Sequence, residues 1–171
     1  MIFETERLYV TKWKAGDLES LYDLFNDVAI KEFILPALTI EETAHILEEQ
    51  LYNYDLNFPF GRYFIIEKYS NDFIGLFLFK ENRDEAGVEI GYSLIKEQWN
   101  KGYATEIVEK SIFWLSTQKR FSTIYAVTET DNINSKHVLS KCGFIQENNF
   151  VEDGKEMNLF GFEGLKKHRL V

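Results

Sequence analysis

The run Gln98-Trp99-Asn100-Lys101-Gly102-Tyr103-Ala104-Thr105 leads directly into an amphipathic helical pattern, and its residue types suit the holding of a phosphate. Gly102 permits close backbone approach, and the first N–H groups of a helix lack carbonyl partners within it and point outward at an anion. Further on, Asn132-Ile133-Asn134-Ser135 opens a second helix that closes on Lys141-Cys142-Gly143-Phe144. Asn132 is placed to cap that helix, and Gly143 to take the left-handed position after it. A Walker loop is excluded, since Gly102 is not followed by Lys-Ser/Thr, and the three-glycine dinucleotide signature is absent.

Strands and helices must hold these two segments, and the hydrophobic pattern supplies them. Glu6 to Trp13 alternates like a half-buried strand, and Asp17 is placed to cap a helix with Leu18, Leu21, Leu24 and Phe25 on one face. Thr39 with Glu42 forms a capping box before a helix carrying Ala44, Ile46, Leu47 and Leu51. Arg62 to Tyr69 and Phe73 to Lys80, joined by Ser70-Asn71-Asp72, read as a hairpin. Gly87 to Ile95 is the strand that feeds the phosphate-type loop, and Tyr103 to Thr117 is the helix after it. Ser122 to Thr128, apolar on both faces, predicts an interior strand. Glu152-Asp153-Gly154-Lys155 predicts a turn between two last strands, Phe144 to Val151 and Glu156 to Glu163. The expected architecture is α/β (α+β): a mixed twisted sheet with helices on both faces and a central β-α-β unit.

At 171 residues without repeat or linker, the chain is expected to be a single domain over 1–171, with its core at about 4–163 and a tail at 164–171. A net charge of −9 without a basic run opposes binding to nucleic acid. It fits a cationic amine, though solubility explains it equally well. Cys142, the single cysteine, can form neither an internal disulfide nor a zinc cluster, and His45 and His168 lack ligand spacing, so no metal is expected. No signal-type start and no membrane-spanning run is seen, and a cytoplasmic protein with no membrane partner is expected.

Four features together resemble the GCN5-related N-acetyltransferase (GNAT) superfamily, in its ribosomal-protein alanine N-acetyltransferase (RimJ/RimL-like) branch. They are Glu6-Arg7-Leu8, Glu89-Ile90-Gly91-Tyr92-Ser93-Leu94, Trp99 through Glu106, and Asn132-x-x-Ser135 followed by Lys141-x-Gly143-Phe144. The likeness extends from about Glu4 to Phe162. It implies the acyl-CoA N-acyltransferase fold and acetyl-CoA as donor, with the pyrophosphate on Trp99, Asn100, Lys101, Gly102, Tyr103, Ala104 and Thr105. Trp99 suits the branch, while Asn100 stands where a second glycine is common. Tyr92 and Leu94 would pair with pantetheine amides, and an N–H near Ser93 would polarise the thioester carbonyl. Asn132, Asn134, Ser135 and Lys141 complete the implied cofactor contacts, with Lys136 a further phosphate candidate.

The resemblance also assigns chemistry. Glu89 is the expected base, acting directly or through a water, with Glu152 as runner-up; a surface ion pair, for instance with Arg83, is the plainer reading of Glu89. The superfamily's usual acidic tyrosine falls at Leu139 and is missing, so Ser135 is the expected acid. The implied reaction is direct transfer of acetyl, in a ternary complex, to a primary amine of a protein N-terminus or a small molecule. Transfer of longer acyl groups and a non-catalytic CoA-binding regulator are the alternatives. Cys142 reads as a core thiol rather than a nucleophile. The acceptor end is expected from the first two helices, the segment Phe33 to Leu38 and the last hairpin, with Phe33, Tyr52, Tyr54, Phe58 and Phe60 either lining it or packed in the core. The assembly is expected to be a monomer or a homodimer.

Overall fold

A computed structural model describes residues 1–26, 38–82 and 87–166. The chain forms two compact units, Met1–Leu78 with Tyr92–Lys101, and Phe79–Gly91 with Gly102–Val171. Among the described residues no helix is long and apolar enough to cross a membrane.

The first unit holds strands β1 (Phe3–Glu4), β2 (Leu8–Thr11) and β3 (Gly61–Glu67), and helices α1 (Leu18–Asn26) and α2 (Ile40–Leu56). It also holds the start of β4 (Phe73–Glu81) and the end of β5 (Gly87–Leu94), two strands that run on into the second unit. β1, β2 and β3 pair antiparallel in that order, with Val10 opposite both Phe3 and Ile65, and β4 follows β3. Trp13 anchors the core, its ring 6.0 Å from Phe25 and 5.6 Å from Phe64. The capping box at α2 forms as the sequence predicts: Glu42 N–H donates to Thr39 Oγ1 at 3.2 Å, and Thr39 N–H to Glu42 Oε2 at 2.7 Å. Asp17 behaves differently. It closes a 3-10 turn, Ala15–Asp17, where its carboxylate accepts from Lys14 N–H at 2.7 Å, and α1 starts one residue later. The carboxylate still satisfies an orphan N–H, but that of the preceding short turn.

The second unit continues β4 and β5 and adds α3 (Tyr103–Thr117), β6 (Thr123–Glu129), α4 (Ile133–Lys141), β7 (Ile145–Glu152) and β8 (Lys155–Phe162). Its strand order is β4-β5-β6-β8-β7. β5 and β6 are parallel, with Glu89 level with Tyr125, and α3 is the connection between them. β6 is interior as expected, yet its sides differ: Ile124, Ala126 and Thr128 are buried while Tyr125 and Val127 are half-buried. The apolar face of α3, with Ile107, Val108, Ile112 and Leu115, is buried, and Trp114 stacks on Phe79 at 5.2 Å. The last hairpin turns on Asp153 and Gly154, both at positive φ (50° and 78°), the two-residue geometry that matches strand twist. β7 carries a register shift between Gln146 and Asn148, and the Glu147 carboxylate lies where a side chain on Gly161 would stand, 1.8 Å from the ideal Cβ position. All eight residues of β7 are exposed. Phe33 to Ala37, Arg83 and the tail from residue 167 on lie outside the described residues.

Candidate active site

Within the first unit, the end of β5 and the loop after it are stapled by main-chain-directed bonds. Ile95 N–H donates to Ile74 O at 3.0 Å, Trp99 N–H to Lys96 O at 3.1 Å, and the Trp99 indole Nε1 to Leu94 O at 2.8 Å. Trp99 thus serves the loop with its side chain, and one lone pair of the Leu94 carbonyl is committed to it. Beneath the strand lies Gly75, which the sequence reading passed over. A Cβ there would sit 2.1 Å from the Ser93 carbonyl oxygen and 3.0 Å from the Leu94 Cα. No neighbouring flexible tip could yield; the obstacle is backbone. A glycine inside an apolar strand pattern is the signal that marks such close approach.

Asn100 takes φ 60°, the left-handed region that glycine favours and asparagine tolerates. Asn100 therefore supplies a positive φ of the kind a glycine would give. Lys101 Nζ donates to Gln98 Oε1 at 2.9 Å, and the Lys101 carbonyl accepts from Arg7 Nη1 at 3.0 Å.

In the second unit Gly102, at φ 82°, is the N-cap of α3. The first i→i−4 bond runs from Glu106 N–H to Gly102 O at 3.1 Å, so the N–H groups of Tyr103, Ala104 and Thr105 precede the helical ladder. Asn132 caps α4 by accepting from Ser135 N–H at 3.0 Å. Ser135 is half-buried on the first turn, whereas Asn132, Asn134 and Lys141 are exposed. Gly143, at φ 88°, ends the helix, with Phe144 N–H returning to Leu139 O at 3.0 Å. Cys142 Sγ lies 3.9 Å from Thr105 O, bringing the end of α4 to the first turn of α3. Burial, with the Glu109 charge, pushes the thiol up to about 11, as befits a core group. Lys136 is turned away to Thr130 O at 3.1 Å. Leu139 is fully buried.

Glu89 is the carboxylate with the most distinctive setting. Its side chain is 19% exposed and Lys80 Nζ stands 3.6 Å away on the neighbouring strand. Burial raises its pKa, the Lys80 charge and hydrogen bond act against that, and the Glu152 charge adds to it. The two carboxylates weighed as bases thus feel one another, but Glu152 is exposed at the hairpin end, opposite Lys155. A carboxylate held above its usual range by burial is a stronger proton acceptor than one in water. Tyr52 and Phe58 are exposed, Phe60 is half-buried, and Tyr54 is buried with its hydroxyl accepting from Trp13 N–H at 3.2 Å.

The acetyltransferase (GNAT) domain family model matches residues 7–145. The uncharacterised N-acetyltransferase p20 of Bacillus licheniformis is 28% identical over 170 residues, 95% of each chain. Spermidine N(1)-acetyltransferase of Vibrio cholerae is 26% identical, covering 81% of this chain and 79% of that one. A structure of spermidine N-acetyltransferase from Vibrio cholerae with CoA and spermine superposes with a TM-score of 0.74 at 21% identity, over 94% of this chain and 97% of that one. RimL, a ribosomal L7/L12 α-N-protein acetyltransferase solved with CoA, gives a TM-score of 0.77 at 14% identity, over 95% and 97%.

Proposed function

Since the chain belongs to the GNAT acetyltransferase family and is an acetyl-CoA-dependent N-acetyltransferase, we propose that it acetylates a primary amine by direct attack, with Glu89 as base. The observation that carries this reading is the Glu89 carboxyl, half-buried beside Lys80 and raised by that burial. The named relatives act on spermidine and on a ribosomal protein, so the acceptor is a small polyamine-type amine or a peptide N-terminus. The regulator reading, suggested by the missing tyrosine at Leu139, gains no support from relatives named as N-acetyltransferases. Membership of the ribosomal-protein alanine branch, resting on Trp99 and Ser135, and a cytoplasmic place of action are part of the same proposal.

Acetyl-CoA supplies an activated acyl group and a leaving thiolate. The first N–H groups of α3, with Trp99 to Lys101 before them, would take its pyrophosphate. Backbone groups of Tyr92 to Leu94 would pair with the pantetheine arm, and a strand N–H near Ser93 would donate to the oxygen that becomes anionic. Glu89 accepts a proton from the ammonium, directly or through a water, so that the free amine attacks the thioester carbon. As the tetrahedral intermediate collapses, the C–S bond would break, with Ser135 Oγ–H giving its proton to the sulfur and taking one from the attacking nitrogen, so that amide and thiol leave. Asn132, Asn134 and Lys141 assist on the cofactor side.

The test is a thiol-release assay with acetyl-CoA over polyamines and peptides with free N-termini. Glu89→Gln should lower kcat by about 10²- to 10³-fold with CoA affinity retained, and Ser135→Ala by a smaller factor. Undiminished kcat in Glu89→Gln would return the base assignment to Glu152.

A further inference from the structure

Arg7 sits in the Glu6-Arg7-Leu8 run that marks the chain's start yet has no part in the chemistry above. It occupies the turn between β1 and β2, and that turn is fixed on all sides. Thr5 N–H donates to Leu8 O at 2.9 Å, Leu8 N–H to Thr5 Oγ1 at 2.8 Å, and Lys68 N–H to the Arg7 carbonyl at 2.8 Å. Lys68 Nζ also donates to Thr5 O at 2.6 Å and pairs with Glu4 at 2.8 Å. From this base the guanidinium reaches Lys101 O, 94 residues away in sequence, at 3.0 Å.

The Glu67 carboxylate is near enough for the Arg7 charge to be felt. That carboxyl is held below its usual range mainly by the Ser70 N–H, with Arg7 the least of the causes. Arg7 Nη1 donates to the neutral Lys101 carbonyl. In a trans peptide the C=O and the next N–H point in opposite directions. Fixing the Lys101 carbonyl therefore fixes the Gly102 N–H, pointing away from Arg7. Asn100 and Gly102 are both left-handed, so neither a helical nor a sheet ladder orients the peptide between them.

We propose that Arg7 is a positioning residue that sets the Lys101–Gly102 peptide so that the Gly102 N–H faces the donor's pyrophosphate. The proposal rests on the reading of Trp99 to Thr105 as the pyrophosphate segment. Arginine suits the task better than lysine, because its planar fork holds a direction where an ammonium holds only a distance.

The experiment is a titration of ¹⁵N-labelled full-length protein with CoA, followed by amide shifts, for wild type, Arg7→Met and Arg7→Lys. Wild type should show the Gly102, Tyr103, Ala104 and Thr105 amides moving with CoA. Arg7→Met, which keeps the stem and drops the donors, should displace the free Gly102 amide, leave distant amides in place and weaken CoA by about tenfold. Arg7→Lys should recover part of that loss, a graded rescue that a merely structural role does not produce. Wild-type affinity and an unmoved Gly102 amide in Arg7→Met overturn the proposal. If CoA binds wild type without moving residues 102–105, the pyrophosphate reading itself fails and takes this one with it. Should Arg7→Met lose its dispersed spectrum, Arg7→Lys carries the test, and an unchanged dissociation constant there overturns the proposal.

Discussion

Glu89 stands under opposing influences, and their balance sets the pH at which it can accept a proton. Burial and the Glu152 charge favour its neutral form, while Lys80 favours the carboxylate. Removing Lys80 leaves burial unopposed, so the pKa rises further. A base works when ionised, so activity climbs as pH passes upward through that pKa. Lys80→Met should therefore move the rising limb of the kcat/KM profile to higher pH and leave the plateau above it nearly intact. Lys80→Arg should restore the limb, and a limb indifferent to both changes would remove Glu89 from the titration. Lys80 is well exposed, so salt should blunt the shift.

At the scale of the elements, the strand–loop–helix was largely legible because its signals are local. Tyr103–Thr117 appears with the predicted ends, and Asn132 and Gly143 bound α4 as caps must. Asp17 was misplaced because a carboxylate can satisfy the N–H of a 3-10 turn as readily as that of a helix. What the sequence concealed depends on how the chain folds back on itself. Trp99 is turned onto Leu94, Arg7 meets Lys101, and Gly75 lies under Ser93; no periodicity announces any of these. Glu89 could be singled out on its strand, but its ion pair with Lys80 joins residues of two strands that no local pattern links. Gly75 offers the sharpest test of the elements. Gly75→Ala must push the Ser93–Leu94 backbone outward, so KM for acetyl-CoA should rise several-fold, with a stability loss of about 1–3 kcal/mol. A thermal melt beside donor-saturation kinetics measures both, and unaltered donor kinetics would show that this close approach serves packing alone.

For the molecule as a whole, charge is the property that both substrates sense. The chain carries −9, the acceptor amine is cationic, and CoA is anionic. Long-range attraction should draw a polyamine towards the protein and weaken as salt shortens the reach of the field. Should the acceptor be a polyamine, raising salt from about 50 to about 500 mM should increase its KM several-fold more than that of a singly charged amine. Equal responses for the two amines would leave solubility as the sole use of the charge.

The bulge in β7 has a bearing on how the protein keeps company with itself. As the outer strand of its ladder it presents one row of backbone groups to no neighbour among the described strands, the template on which foreign chains add and fibres grow. The extra residue kinks that row, and the residue supplied is Glu147, whose charge is folded over Gly161. A flat, uncharged edge here would invite further copies to zip on, for Ile145, Phe150 and Val151 are already exposed. Glu147→Val should make scattering and elution depend more steeply on concentration than in wild type. On that reading, a carboxylate with no assigned part in the chemistry guards the enzyme's solubility.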